Sequence, residues 1–209
     1  MTITYTVHNG LYVNLTNRCT CDCDFCERNS IDRVGNSGSL WLEREPTLQE
    51  ILDDLAKYDL MQYDELIFCG FGEPTLRLDV ILGVARDVKA CHPRLPIRIN
   101  TNGHANLIAG HDVTPDMQGL IDVLSISLNR PDGAAYERHM RPVYDCAFDG
   151  LLDFARRAKQ YVPTVVLSVV DVLPEEQLQQ CRLIAERLDV TFRVRPYHAD
   201  SDNTVGNLT

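Results

Sequence analysis

The apolar residues of this chain come in short runs, and their period switches repeatedly between that of a strand and that of a helix. Ile3-Thr-Tyr-Thr-Val7 alternates, and so does Leu11-Tyr-Val-Asn-Leu-Thr16, with His8-Asn9-Gly10 between them. Asn-Gly between two alternating runs is a strong hairpin signal, so the chain is expected to open with a β-hairpin. Thr47, with Glu50 three residues on, makes a capping box and predicts a helix running to about Asp59. Glu65-Leu-Ile-Phe-Cys69 reads as a strand, Val80 to Ala90 as a helix, Ile97 to Asn100 and Leu120 to Leu128 as strands. Gly150 to Tyr161 is amphipathic at helical spacing, and Val165 to Val172 is a nearly unbroken apolar strand. Pro174, suited to a first helical position, opens a helix to about Leu188; a last strand follows from Val190 to Val194 and then a polar tail from Ser201. Asn29 to Ser39, with Gly35 and Gly38, reads as an irregular loop.

Strands that alternate with helices, several of them apolar on both faces, specify a parallel α/β sheet. A closed eight-fold barrel needs about 250 residues, and this chain has 209. The expected fold is therefore α/β, an open partial (βα)6 barrel of the TIM type with the N-terminal β-hairpin covering one edge. Residues 1–198 are expected to form a single domain, with 199–209 as a polar C-terminal tail.

With 44% hydrophobic residues the chain has enough apolar surface for one buried core. Thirty acidic against twenty basic side chains give a formal charge of −10, which argues against bulk binding to nucleic acid or an anionic membrane. A local basic patch remains open: Arg138, Arg141, Arg193 and Arg195 could form an anion site, although surface arginines are usually just solvated. No stretch approaches the roughly 20 apolar residues of a membrane span, the best run being Thr164 to Leu173. The N-terminus shows no basic region followed by an apolar block, so the chain reads as cytoplasmic, with reduced thiols.

That setting gives the eight cysteines meaning. Four are packed at Cys19, Cys21, Cys23 and Cys26; the others are scattered at Cys69, Cys91, Cys146 and Cys181. A tight cluster in a reducing compartment points to metal or redox chemistry. Cys19, Cys23 and Cys26 follow a C-x3-C-x2-C spacing. Thiolates are the usual ligands of iron–sulfur clusters. Three on one loop can hold three irons of a four-iron cluster and leave one open to a ligand, as a catalytic zinc keeps one position open. A structural zinc site using all four cysteines, or a redox thiol pair, are the alternatives, although the spacing fits poorly with paired C-x2-C knuckles. Cys21 stands outside the triple.

Parallel α/β folds carry their chemistry at the carboxyl ends of the strands, and the unusual segments lie there. In Gly70-Phe-Gly-Glu-Pro74 the glycines permit close backbone approach, and Pro74 forces Glu73 to be extended. The segment could present backbone groups and a carboxylate to a small cation such as an ammonium; a strand-to-helix turn without a ligand explains it equally. Thr75 in place of a third glycine disfavours a dinucleotide fingerprint. Thr101-Asn-Gly103 reads first as a turn. Ser125, Ser127 and Asn129 share one side of a strand, so they need either a ligand or a hydrogen-bonded core. His198 alone reads as a surface histidine.

Taken together and in order, these motifs resemble the radical S-adenosylmethionine (SAM) superfamily: C-x3-C-x2-C with Phe25 before its last cysteine, Gly72-Glu73-Pro74, Thr101-Asn-Gly103 and Ser127-Leu-Asn129, then the terminal strand. The resemblance runs from about Leu11 to His198. Leu15-Thr-Asn-Arg-Cys-Thr20, Phe25-Cys-Glu-Arg-Asn29 and Leu40-Trp-Leu-Glu-Arg-Glu-Pro46 are similar to a small branch named for genes beside TatD-type metal-dependent nucleases. The resemblance implies an enzyme in which Cys19, Cys23 and Cys26 hold a [4Fe–4S] cluster whose open iron chelates the amino and carboxylate groups of SAM. One electron would cleave the sulfonium–C5′ bond, and the resulting 5′-deoxyadenosyl radical would take a hydrogen atom from a substrate. By the same resemblance Gly70, Gly72, Glu73 and Pro74 form the turn that meets the methionine ammonium, largely through backbone groups. Phe25 and Val170 lie by the adenine, Ser127 and Asn129 meet the ribose and carboxylate, and Asn102 is a further candidate. Tyr197 and His198 stand where glycyl-radical-activating members carry a similar Pro-Tyr-His. Two departures are visible: Phe71 is inserted between the two glycines, and Asn129 stands where some activases carry lysine.

The implied partners are SAM, a one-electron reductant of the flavodoxin or ferredoxin type, and a functional link to a TatD-type nuclease. The open side of so short a barrel suits a large substrate, such as a peptide or protein loop, with nucleic acid disfavoured by the charge. No second cysteine-rich segment follows the last strand, so no auxiliary cluster is expected. A glycyl-radical activase and, in another class, a zinc-stabilised α/β binding or scaffold protein are the competing readings.

Overall fold

The computed structural model describes residues 1–196. Among them seven strands form one sheet in sequence order: β1 (Thr4–Val7), β2 (Gly10–Val13), β3 (Glu65–Phe68), β4 (Ile97–Thr101), β5 (Val123–Ser127), β6 (Thr164–Val170) and β7 (Thr191–Arg195). β1 pairs antiparallel with β2, and every later pair is parallel. The sheet is an open partial barrel of six parallel strands with a hairpin strand at one edge, as the alternation of periods predicts.

The hairpin differs from its sequence reading in one detail. Val7 pairs with Gly10, so the turn is His8-Asn9, with His8 in the left-handed region at φ 50°. Gly10 is already in β2. A Cβ there would lie 2.7 Å from Ile67 Cδ1, so this glycine answers to packing between strands.

Helices α1 (Leu48–Leu55), α2 (Leu78–Cys91), α3 (Ala105–Ala109), α4 (Gly133–Met140), α5 (Ala147–Ala158) and α6 (Glu175–Leu188) follow the strands. The Thr47–Glu50 capping box is formed in both directions. The first helix stops at Leu55, short of Asp59, whose side chain instead caps a 3-10 turn at Leu60–Gln62. Pro174 sits one position earlier than expected, as the N-cap of α6.

One side of each strand faces the helices. Leu11, Val13, Leu66, Phe68, Ile97, Ile99, Leu124, Ile126, Leu167 and Val169 are all buried there. They join Ile51 and Leu55 of α1, Ile81, Val84 and Ala85 of α2, Phe154 of α5 and Ala185 of α6 in one continuous core. Period two then puts the intervening residues on the concave side: Tyr12, Cys69, Asn100, Ser125, Ser127, Val170 and Arg195. No helix among the described residues is long and apolar enough to cross a membrane.

Candidate functional site

The cysteine loop leaves β2 and is held against its surroundings mainly by backbone contacts. The Glu73 amide donates to Arg18 O at 2.8 Å. Gly72 lies so close to this segment that a Cβ would stand 2.3 Å from Thr16 O and 2.4 Å from Arg18 O. A Cβ on Gly70 would strike Asn14 Oδ1 at 2.1 Å. Both glycines are therefore required by close approach. On the other side, Asp22 N donates to Met140 O and Asp24 N to His139 O, both at 3.0 Å, tying the loop to the end of α4. The inserted Phe71 is accommodated sideways, packing with Tyr5 and Leu40 and 5.2 Å from the Trp41 ring.

Between this loop and the strand ends lies a cavity of about 220 Å³. Cys19, Cys23 and Cys26 line it, and so do Phe25, Gly70, Gly72, Glu73, Asn102, Ser127, Asn129 and Val170. Pro74 is buried and does not line the cavity; it opens a 3-10 turn and leaves Glu73 extended, at φ −88° and ψ 110°. Tyr197 and His198 lie outside the described residues. A second hollow, of about 400 Å³, opens at the amino ends of β6 and β7 beside Lys159, Pro163 and Thr191. Lys159 is paired with Asp189 there at 2.9 Å. Parallel sheets carry ligands at the opposite end of the strands, where the cysteines are.

Glu73 corrects the sequence reading of a carboxylate offered to a cation. It is 2% exposed. Its Oε1 accepts from Thr75 N (3.0 Å), Thr75 Oγ1 (2.6 Å) and Thr101 Oγ1 (2.7 Å), and its Oε2 from Asn102 N (2.7 Å). Burial pushes its carboxyl above the usual range, and the four hydrogen bonds pull it back. The side chain joins the ends of β3 and β4, which leaves the backbone of Gly70 to Gly72 facing the cavity. Among the described residues no hydrogen bond takes up those three carbonyls.

Asn102 is likewise turned to the cysteine loop. Its Nδ2 donates to Thr20 Oγ1 at 2.7 Å and lies 3.6 Å from Cys21 Sγ and 3.9 Å from Cys19 Sγ. From there a directed relay runs on. Thr20 Oγ1 meets His104 Nδ1 at 2.9 Å, and His104 Nε2 meets the Tyr136 hydroxyl at 3.0 Å. Cys21 is in contact with Tyr136 and Cys23. The contact with Cys23 raises the Cys21 pKa and lowers that of Cys23. Burial pushes the Cys19 thiol up to about 12, and it raises Cys26 as well. His104 is completely buried, and burial lowers its pKa to about 4, so the ring is neutral.

Phe25 carries a buried cation on its face. Arg130 is 6% exposed, with its guanidinium carbon 5.0 Å from the ring centroid and its Nη1 donating to Asn129 O at 2.7 Å. Asn129 holds the left-handed conformation at φ 54°, is 3% exposed, and its Oδ1 is buried without a partner. An orphaned buried amide oxygen beside a cavity calls for a ligand that donates to it.

The donor set fits an iron–sulfur group. Three partly buried thiols from one loop edge a single cavity, beside glycine backbone and an unpartnered amide. Among the described residues no three His, Cys, Asp or Glu side chains converge as one shared metal ion requires. In a multi-iron cluster each thiolate takes its own iron, and no such convergence is needed.

The sequence reading missed Cys69 and Asn100 as cavity residues and left Ser125 and Arg195 undecided. Their signal was available: each continues on a neighbouring strand the period-two polar row that Ser125 and Ser127 begin.

The profile of the Radical SAM superfamily matches residues 13–188. A search of curated proteins finds none that matches significantly. Among solved structures the chain is similar to methylornithine synthase (PylB), with a TM-score of 0.60 at 18% identity over 90% of this chain and 53% of that one. A radical SAM methyltransferase from Sphaerobacter thermophilus gives 0.60 at 14% identity, over 92% and 57% of the two chains. SuiB from Streptococcus suis, bound to S-adenosylmethionine, gives 0.58 at 15% identity, over 92% and 39%. The chain thus spans about half the length of the first two, at 53% and 57%.

Proposed function

The chain belongs to the radical SAM superfamily, whose members use a [4Fe–4S] cluster and SAM, and on that premise we propose that it is an enzyme that holds the cluster through Cys19, Cys23 and Cys26 and cleaves SAM reductively. The observation that carries this reading is the shared cavity: all three thiols open into the space that Gly70–Gly72 and Asn129 also line. Held there, the cofactor pair would supply one-electron cleavage of the SAM sulfonium–C5′ bond and, through it, removal of a hydrogen atom from a substrate.

This chain's residues do the holding. The free carbonyls of Gly70, Phe71 and Gly72 are acceptors for the methionine ammonium, a role the engaged Glu73 carboxylate leaves to them. Asn129 Oδ1 accepts from a ribose hydroxyl, with Ser127 beside it. Phe25, braced by Arg130, and Val170 give the adenine apolar contact. The Asn102–Thr20–His104–Tyr136 relay fixes the loop from behind and keeps Cys21 in contact with Tyr136, so that Cys21 is a support to the triple and no ligand.

By the motifs around Leu15–Thr20, Phe25–Asn29 and Leu40–Pro46 we place the chain in the small TatD-linked branch, with a flavodoxin- or ferredoxin-type reductant and a cytoplasmic setting. Its substrate is proposed to be large, such as a peptide or protein loop.

The test is anaerobic reconstitution. The protein should take up about four irons and four sulfides per chain. Cys23→Ala should lose them and Cys21→Ala should keep them. With SAM and a strong reductant, 5′-deoxyadenosine and methionine should form. A colourless protein with about one zinc, or a Cys21→Ala variant that bleaches while Cys19→Ala does not, would overturn the assignment.

A further inference from the structure

The concave face of the sheet holds positive charge that no described acid pairs. Among the described strand residues, the acid on that face is Glu65, and it is paired with Arg98 at 2.6 Å. Arg193 and Arg195, two apart on β7, fall on the same face by their register with Ser168 and Val170. Neither makes an ion pair or a side-chain hydrogen bond to a described residue. Arg195 lines the cavity, and its Nε is buried without a partner. Its charge reaches across the hollow. Burial raises the Cys69 thiol, while Asn100 and then Arg195 pull it back.

Arg195 is not alone. The hydroxyl of Ser125 lines the same cavity and makes no hydrogen bond among the described residues. A guanidinium and a hydroxyl, whose donors meet no acceptor among the described residues, thus share one wall in a chain of net charge −10. Such a set is complementary to an oxyanion, since guanidinium binds carboxylate and phosphate oxygens through paired charge-assisted hydrogen bonds. The other arginines noted in the sequence behave differently. Arg141 is spent on Asp22, at 3.3 Å, and Arg138 does not line the cavity.

We propose that Arg195, with Ser125, forms a subsite for an oxyanion, carboxylate or phosphate, carried by the substrate. This rests on the SAM reading above, in which the cysteine loop and the Gly70–Gly72 turn take the amino-acid end of SAM. Arg195 stands on β7, the edge strand of the described sheet. The subsite selects an acidic substrate and holds it in the half of the cavity that SAM leaves free.

The test uses reconstituted protein whose iron content and SAM affinity are measured first. With SAM bound, inorganic phosphate and succinate are titrated by calorimetry at constant ionic strength. At least one should bind saturably at one site per chain. Tighter phosphate assigns a phosphoryl group and tighter succinate a carboxylate. Arg195→Gln should weaken that binding about 10- to 100-fold, the loss of one charge-assisted contact. Ser125→Ala should weaken it about three- to tenfold, and Arg138→Gln should leave it as it is. Absence of saturable binding in the unaltered protein overturns the proposal, as does an Arg195→Gln variant, folded by circular dichroism, that binds the anion normally. Equal weakening of SAM itself would assign the guanidinium to the SAM carboxylate and overturn it too. Failure to take up iron defeats the cofactor reading instead, and the same titration on iron-free protein still decides the subsite.

Discussion

Replacing Glu73 by glutamine separates a structural carboxylate from a ligand-binding one. The carboxylate accepts four hydrogen bonds and is 2% exposed. A glutamine can keep its carbonyl oxygen toward the three donors on Thr75 and Thr101. Its amide then meets the Asn102 N–H, donor against donor, where 2.7 Å separates the partners now. An unsatisfied buried N–H costs about 1–3 kcal/mol. The three remaining bonds lose their charge assistance, and relief from burying a charge offsets part of this. The net expectation is a loss of about 2–4 kcal/mol, or roughly 4–15 °C in Tm for a chain of this size. Thr101→Val, which removes one of the four donors, should cost about 1 kcal/mol.

The assay is urea unfolding of the iron-free protein at pH 7 by far-UV circular dichroism, where a pure stability change moves the midpoint and leaves the slope alone. SAM affinity is measured separately on reconstituted protein. The reasoning is refuted if Glu73→Gln unfolds with the unaltered chain while its SAM affinity falls about tenfold or more. That outcome would mean that the carboxylate is free to hold the ammonium and that its bonds to Thr75, Thr101 and Asn102 carry little.

Gly72→Ala should disrupt the cysteine loop, because the new methyl meets backbone oxygens at 2.3 and 2.4 Å and forces apart the 2.8 Å bond from Glu73 N to Arg18 O. A loss of roughly 2–4 kcal/mol and of most bound iron is expected, read by urea midpoint and iron per chain. Gly83→Ala in α2 is the contrast, since its methyl meets only the flexible end of Leu48 and gains helix propensity, so its midpoint should hardly move. His104 gives a pH signature: burial lowers its pKa from 6.5 to about 4 in the folded chain. The unfolded chain binds that proton first, so stability present above pH 6.5 is lost as pH falls through 4, by about 3 kcal/mol in all. Urea midpoints between pH 7 and 4 should fall less steeply for His104→Gln than for the unaltered chain, and equal slopes would show that the ring is protonated in the folded state.

What the sequence revealed and what it hid divide by the range of the interactions. Strand and helix periods are local, and they delivered the parallel sheet, the Thr47 cap and the placement of polar motifs at strand ends. α3 and α4 were not read: α3 has five residues, and α4, Gly133–Met140, buries only Tyr136 and Met140. Too few turns present an apolar stripe for periodicity to register. The Asn9-Gly10 signal predicted the hairpin and misplaced its turn by one residue, because Gly10 answers to Ile67 on a strand more than fifty positions away.

The site follows the same rule. The cysteine triple is a local spacing, and the structure brings all three thiols into one cavity. Glu73 was misread because its partners Thr101 and Asn102 lie 28 and 29 residues away, on the next strand's end. A carboxylate beside two glycines looks free until the fold supplies four donors, and then it is the glycine carbonyls that keep no partner among the described residues. Arg195 was left undecided, as one of four scattered arginines that could form an anion site or be solvated. Only register with Val170 turns it inward, to a wall where no described acid or carbonyl meets its side chain. A side chain's chemistry was therefore legible along the chain, but whether that chemistry is spent on the fold or left for a ligand depended on partners from other strands. Glu73 and Arg195 are the two positions where that accounting changes the functional reading.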